Sequence, residues 1–344
     1  MAISSLIPEF NQILQQKLSI VVTSHTNPDG DAIGSSLALS WVLKKMGHHV
    51  HVVIPNMYPA FLAWMPGISD IVIFEHQSKI AKPLIQEADI IFCLDYNTLK
   101  RSGATADDLI ASPAVKYLVD HHPNPDVDDF SLILSVTDIS STAELIYFLL
   151  SETGNDHLID QPIAECLYVG IMTDTGSFSH AIKHSDTFRV TASLIDKGID
   201  AERIHRLIYD TLTENKLRLL GHAINNRMLV MEEYRTAIIT LSKADLKQFD
   251  YQIGDTEGIV NFPLSMAKIN LAVLITEKKD HVRLSFRSKG DFSVNDFARE
   301  YFEGGGHHNA AGGNSSLSMK DAVNALIKLL PTVINDLDYQ YDLL

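Results

Sequence analysis

The sequence predicts an α/β fold in two parts, a parallel-sheet N-terminal domain and a smaller mixed α/β C-terminal domain. Three observations carry that prediction. Short apolar runs alternate with helix-patterned segments through the first half of the chain. The second half changes to paired strands with turns between them. A charged, amphipathic stretch over 200–225 separates the two patterns.

The first strands are expected at SIVVTS (19–24), VHVVI (50–54), DIVIF (70–74), ADIIFCL (88–94) and VKYLV (115–119). Each is short and apolar, as strands buried on both faces must be. IGSSLALSWVLKKMG (33–47) carries apolar residues at helical spacing, and Gly47 is placed to end that helix. The alternation implies βαβ units and a sheet covered by helices on both faces. Three more helices are expected at 141–154, 162–173 and 185–198. One continuous helix from about Asp200 to Asn225 is expected to link the domains. Beyond it, 227–242 and 269–290 read as antiparallel hairpins turning near 232–234 and 278–280. VNDFAREYF (294–302) reads as a short helix, GGGHHNAAGG (304–313) as a glycine-rich loop, and 318–336 as a final helix. The domain boundaries that follow are 1–199, a helical linker at 200–226, and 227–344.

The chain has 344 residues, enough for about two domains. Its formal net charge of −15 argues against tight binding of long nucleic acid through a broad basic face. Only two cysteines occur, Cys93 and Cys166, both inside apolar runs. That fits a reduced, cytoplasmic protein better than a disulfide framework. MAISSLIPEF lacks the cationic-then-apolar pattern of a secretory signal, and no run of 18 apolar residues predicts a membrane span.

Chemistry-bearing residues gather where the early strands stop. The first strand ends at His25, with Asp29 and Asp31 just beyond it in HTNPDGDAIGS. IIFCLDY ends at Asp95. VKYLVDHHP ends at Asp120, His121 and His122. GIMTDTGSF places Asp174 in a loop after a helix. Ligands of doubly wound sheets collect at the carboxyl ends of the strands. So many acids at one edge repel one another and shift each other's pKa values, and divalent cations are the usual compensation. Imidazole and carboxylate donors without thiolate suit Mn²⁺ or a similar ion rather than a structural zinc. Six ligands with one shared carboxylate suit two ions about 3.5–4 Å apart. Taken singly each feature is ordinary: NPDG is a turn, Asp31 a helix cap, and an aspartate ends many strands. Their joint order is what argues for a site.

VDHHP, together with HTNPDGDAIGS, LDYN and TDTGSF, resembles the four motifs of the DHH phosphoesterases. GGGHHNAAGG resembles the signature of the associated C-terminal domain. The resemblance runs from about residue 20 to 335. It is strongest to the bifunctional nano-RNase and 3′-phosphoadenosine-5′-phosphate (pAp) phosphatase group. That resemblance implies a two-metal hydrolase with its active site in the cleft between the domains. Its substrates would be short oligoribonucleotides and pAp, with linear dinucleotides from cyclic di-AMP as a further class. It would be a homodimer, and neither long duplex DNA nor a membrane would be a partner.

Motif by motif, the resemblance gives His25, Asp29 and Asp95 to one Mn²⁺ ion. It gives Asp31, Asp95, His121 and Asp174 to the other, with Mg²⁺ or Co²⁺ as substitutes. Asp120 would orient a histidine. His122 would contact the scissile phosphate or protonate the leaving oxygen. Arg287, His307 and the backbone of Gly304, Gly305 and Gly306 would bind substrate phosphate, and His308 is a second candidate in that loop. Residues 268–299 hold seven Lys or Arg against four Asp or Glu, a local basic excess that suits a short, charged substrate. His48, His49 and His51 are read as the start of a strand. His180, past Asp174, is left as a further candidate.

Three alternatives share parts of this reading. A manganese inorganic pyrophosphatase uses the same four motifs, but the glycine-rich segment argues against it. A single-strand DNA exonuclease is disfavoured by the short, acidic chain. A non-catalytic nucleotide sensor is disfavoured by the complete set of ligand candidates.

Overall fold

The computed structural model describes residues 7–13, 16–252 and 254–340. Most of MAISSLIPEF and the last four residues of the expected C-terminal domain lie outside the described residues. The contacts divide the chain into two units at Thr211/Leu212, within the stretch expected to link the domains.

In the first unit, α1 (Ile7–Ile13) precedes β1 (Ser19–Thr23), α2 (Gly30–Lys45), β2 (His49–Ile54), β3 (Val72–Ile73), α3 (Phe74–Gln86), β4 (Ile90–Leu94), α4 (Ala106–Ala111), β5 (Val115–Asp120) and β6 (Leu132–Ser135). The helices α5 (Thr142–Glu152), α6 (Gln161–Asp174), α7 (Asp186–Ile195) and α8 (Ala201–Tyr209) follow. All six strands are parallel, in the order β3-β2-β1-β4-β5-β6. Neighbouring residues of one strand serve opposite cores. Ile20, Val22, Phe92 and Leu94 pack with Ile33 and Leu37 of α2, Leu145 of α5 and Leu167 of α6. Val21, Ile91, Cys93 and Leu118 pack with Phe74 and Ile85 of α3 and Leu109 of α4. Burial on both faces explains why the strands read as unbroken apolar runs.

The strand order reverses between β1 and β4, the switch point where such sheets open a crevice at their carboxyl ends. Three features depart from expectation. The run 70–74 yields only a two-residue strand, and Phe74 already begins α3. The edge strand β6 was not expected. Asp174 is the last residue of α6, not part of a loop.

In the second unit, α9 (Glu214–Asn226) leads into β7 (Met228–Met231), β8 (Thr236–Leu241), α10 (Lys243–Gln248), β9 (Leu271–Glu277), β10 (Val282–Ser288), α11 (Val294–Tyr301), β11 (Gly305–His307), β12 (Ala310–Ser315) and α12 (Met319–Val333). The sheet order is β11-β12-β10-β9-β8-β7. Both expected hairpins form, and β8 pairs with β9 in parallel. One face packs on α11 and α12, the other on α9 and α10.

The helix expected from about Asp200 to Asn225 is two helices, broken over Asp210 to Thr213. Thr213 caps the second, accepting from the Lys216 N–H. Ile204 and Ile208 of α8 join the core of the first unit, while Leu219 and Ala223 of α9 join that of the second. One amphipathic pattern thus serves two cores. The expected glycine-rich loop is also a correction: 305–307 and 310–315 are strands, paired Gly305 with Gly312 and His307 with Ala310.

Candidate metal centre

Two close helix contacts bring the strand-end residues together. A side chain at Gly34 would meet the Cys166 carbonyl at 2.4 Å, and one at Gly170 would meet Asp31 Oδ1 at 2.7 Å. Only glycine lets α2 and α6 approach this closely. That approach delivers Asp31, from the first turn of α2, and Asp174, from the end of α6, to the same edge as Asp95 and His121.

Asp29 caps α2, accepting from the N–H groups of Asp31 and Ala32, both at 3.1 Å. His25 is buried, with Nδ1 2.9 Å from the Thr26 carbonyl. Its Nε2 lies 3.4 Å from Asp95 Oδ2 and 3.9 Å from Asp29 Oδ2. The other oxygen of Asp95 lies 3.4 Å from His121 Nε2, which is 3.3 Å from Asp174 Oδ2 and 4.0 Å from Asp31 Oδ2. Each oxygen of Asp95 therefore faces a different imidazole. Asp95 sits at φ +64°, a left-handed conformation that a non-glycine residue adopts at a cost. Asp120 at the end of β5 is fully buried, and its Oδ1 is 2.7 Å from His122 Nδ1. This pairing places a proton on Nδ1 of the neutral ring and leaves the lone pair at Nε2.

The electrostatics are those of an overcrowded edge. Burial, with Asp95 and Asp174 alongside, pushes Asp31 well above the ordinary carboxylate range. Burial likewise lifts Asp174 to about 7. Against burial, which would raise it, hydrogen bonds from His121 and His25 hold Asp95 well below that range. Burial would lower both histidines. The carboxylates overcome it, Asp95 and Asp29 taking His25 to about 8, Asp174 and Asp95 taking His121 to about 10. Protons on the imidazoles partly balance the carboxylates.

A divalent cation would do the same more completely. The ligand atoms of His25, Asp29 and Asp95 lie within 4.8 Å of one another, and so do those of Asp31, Asp95 and His121. Imidazole and carboxylate donors sharing one carboxylate fit a pair of hard-to-borderline divalent ions.

The structure brings together every strand-end residue expected at the site: His25, Asp29, Asp31, Asp95, Asp120, His121, His122 and Asp174. In the second unit, Arg287 and His307 lie on β10 and β11, both in register with Ala310 of β12 between them. They therefore lie in one row across the sheet, separated by a single strand. The glycines differ from expectation. Gly304 donates its N–H to the Ala298 carbonyl at 3.1 Å, and Gly306 donates to Asn295 Oδ1 at 2.8 Å. Those two amides are spent inside the protein and are not turned to a ligand. A Cβ at Gly304 would lie 2.0 Å from the Gly312 carbonyl, so close strand packing is what demands glycine there. His308 is held by the Asp291 carbonyl at 3.0 Å. His48 Nδ1 takes the Leu18 N–H, and His49 and His51 lie exposed along β2.

Thr142 is a site residue that sequence reading overlooked. Its signal was present: SSTAE, 140–144, carries Ser three residues before Glu, a helix-start pattern. Ser141 indeed accepts the Glu144 N–H, at 3.1 Å. The Thr142 hydroxyl donates to Asp95 Oδ1 at 3.0 Å.

Comparison with known families matches residues 19–171 to the DHH family, N-terminal domain, and residues 235–336 to the DHHA1 domain. The chain belongs to the DHH family. The DHH match runs from β1 into α6 and contains every residue of the cluster except Asp174. Among relatives, the bifunctional oligoribonuclease and PAP phosphatase NrnA of Bacillus subtilis (strain 168) is 26% identical over 321 residues, covering 92% of this chain and 95% of its own. A crystal structure of an exopolyphosphatase-related protein from Bacteroides fragilis is 40% identical, with TM-score 0.94 and 98% of each chain covered. Thermus thermophilus RecJ in complex with Mn²⁺ shares the fold at 13% identity and TM-score 0.56, covering 97% of this chain and 55% of that one. Among the described residues, no helix of this DHH protein is long and apolar enough to cross a membrane.

Proposed function

We propose that the protein is a divalent-metal-dependent phosphoesterase that hydrolyses short oligoribonucleotides from an end and removes the 3′-phosphate of pAp. Linear dinucleotides from cyclic di-AMP are a further substrate class. The observation that carries this reading is Asp95, whose two oxygens each lie 3.4 Å from a different imidazole. The family and the B. subtilis relative's named activities support the choice of substrate.

In this reading His25, Asp29 and Asp95 would hold one ion, and Asp31, Asp95, His121 and Asp174 would hold the other. Two bound divalent ions, Mn²⁺ by preference, would neutralise phosphate oxygens and lower the pKa of an attacking water. The protein's own groups do the rest. Asp120 fixes the ring of His122 through its 2.7 Å hydrogen bond to Nδ1, so that Nε2, once it carries a proton of its own, is the atom that meets the phosphate or passes that proton to the leaving oxygen. Arg287 would supply positive charge, and His307 a ring nitrogen, to a second phosphate of the substrate. No side-chain nucleophile is required. The protein acts in the cytoplasm as a homodimer.

The test is turnover by metal-stripped protein with Mn²⁺ restored. The substrates are pAp, a dinucleotide, a short RNA, a long single strand, pyrophosphate and polyphosphate. Consumption of short RNA, pAp and the dinucleotide, with the long strand, pyrophosphate and polyphosphate spared, is the expected result. Dominance of the long strand would overturn the substrate choice. A second reading, cleavage of phosphate–phosphate bonds, draws on the name of the B. fragilis structure, and dominance of polyphosphate would establish it.

A further inference from the structure

One residue touches a carboxylate of each ligand group. The Thr142 N–H donates to Asp31 Oδ2 at 2.7 Å, and the Ala143 N–H donates to Asp31 Oδ1 at 2.8 Å. The Thr142 hydroxyl donates to Asp95 Oδ1 at 3.0 Å. Asp31, Asp95 and Thr142 are each no more than 2% exposed, so water does not compete for these bonds. Ser141 caps α5, and Glu144 folds back onto the Ser140 N–H at 3.0 Å, so the turn that presents Thr142 is itself fixed.

The consequence lies in the rotation of two carboxylates. Asp31 spends one lone pair of each oxygen on the first turn of α5, which fixes its rotation with Oδ2 4.0 Å from His121 Nε2. Asp95 is held with Oδ1 on the His121 side and Oδ2 on the His25 side. Without the Thr142 hydroxyl the orientation of Asp95 rests only on imidazoles that are themselves ligand candidates, and once those turn to metal the group can rotate to chelate a single ion with both oxygens.

We propose that Thr142 is a positioning residue that holds Asp95 as a bridge between two metal ions rather than a chelator of one. This inference rests on the two-metal reading above. Outer partners of metal ligands commonly contribute 10–100-fold in metal affinity or activity.

The experiment compares wild type with Thr142→Ser, Thr142→Ala and Thr142→Val by calorimetric Mn²⁺ titration of metal-stripped protein, with kcat and KM for pAp measured alongside. Serine and alanine both lose the methyl group, so their difference isolates the hydroxyl even if the valine variant does not fold. The expected result is two binding events in wild type and the serine variant. In alanine and valine the second event weakens by about 10–100-fold, kcat falls by a similar factor, and KM changes by less than about threefold. Two ions bound with wild-type affinity by the alanine variant would overturn the role of Thr142. Fewer than two ions bound by wild type would instead overturn the two-metal reading.

Discussion

Two buried aspartates, one in each unit, meet opposite surroundings. Asp31 lies among other carboxylates and is pushed above its ordinary range. Asp245, in the second unit, is almost as buried, yet it is held well below that range. Burial opposes this. Ser242 and Arg227 overcome it, with His222 assisting. Arg227 Nη2 is 2.7 Å from Asp245 Oδ1, His222 Nε2 is 2.9 Å from the same oxygen, and the Ser242 hydroxyl is 2.6 Å from Oδ2. The second unit neutralises its buried acid with its own cations. The first gathers Asp31, Asp95, Asp120 and Asp174 and sets histidines against them. A carboxylate that completes a structural network needs nothing from outside, whereas a cluster short of positive charge is built for an incoming cation.

The sharpest way to break that comparison is Asp95→Ala. Losing the shared carboxylate should lower kcat on every substrate by more than about 10³-fold, beyond the 10–100-fold typical of an outer partner. Near-normal turnover would end the two-metal reading.

Metal and pH come next. His121, at about 10, and His25, at about 8, bind protons more tightly folded than unfolded. Their stabilisation is complete below about 6.5 and is lost as pH rises through 8 and 10. Asp31 and Asp174 act in the same direction, since their ionised forms are the disfavoured ones. Ligands must shed protons to bind metal, so Mn²⁺ affinity should rise by up to about tenfold per pH unit for each proton displaced. The gain in Tm on adding Mn²⁺ should therefore be larger at pH 9 than at pH 6. Scanning calorimetry with and without the ion checks this, and an equal gain at both would count against the cluster as the metal centre.

Arg287→Ala should raise KM about 10–100-fold, the value of one charge-assisted hydrogen bond, with metal affinity unchanged. Loss of metal in that variant would remove Arg287 from substrate binding.

The smallest effect is expected at the compensated acid. Asp245→Asn should cost about 1–3 kcal/mol of stability by weakening its network, while leaving the Mn²⁺ titration as in wild type. Because the Asp245 pKa is depressed, its contribution is present above about pH 4 and is lost as pH falls further. Acid should thus remove the stabilising share of Asp245 while relieving Asp31 and Asp174, opposite trends in the two units. Unfolding curves of the Asp245 variant and wild type that converge below pH 3 check the sign.

The sequence determined the chemistry and much of the architecture. Unbroken apolar runs marked strands buried on both faces, because alternate residues enter two cores. Polar residues at the ends of those runs marked the edge where side chains converge. That edge assembled as read, from His25 to Asp174. Local pattern failed where a competing long-range contact ruled. The stretch from Asp200 to Asn225 has one helical periodicity, but its halves pack on different cores, and the chain breaks between them. GGGHHNAAGG looks like a loop because glycine is poor in strands. It becomes strands because Gly304 and Gly306 must pass close to the backbone of β12, a demand that only sheet pairing creates. Thr142 was hidden for the same reason. Its carboxylate partners lie 47 and 111 positions away in the chain, and only the packing of α2 and α6 beside α5 brings them within hydrogen-bonding distance. Composition and periodicity fix which groups a chain has and which face they share. Which oxygen of a carboxylate points at which neighbour is decided by rigid elements meeting in space.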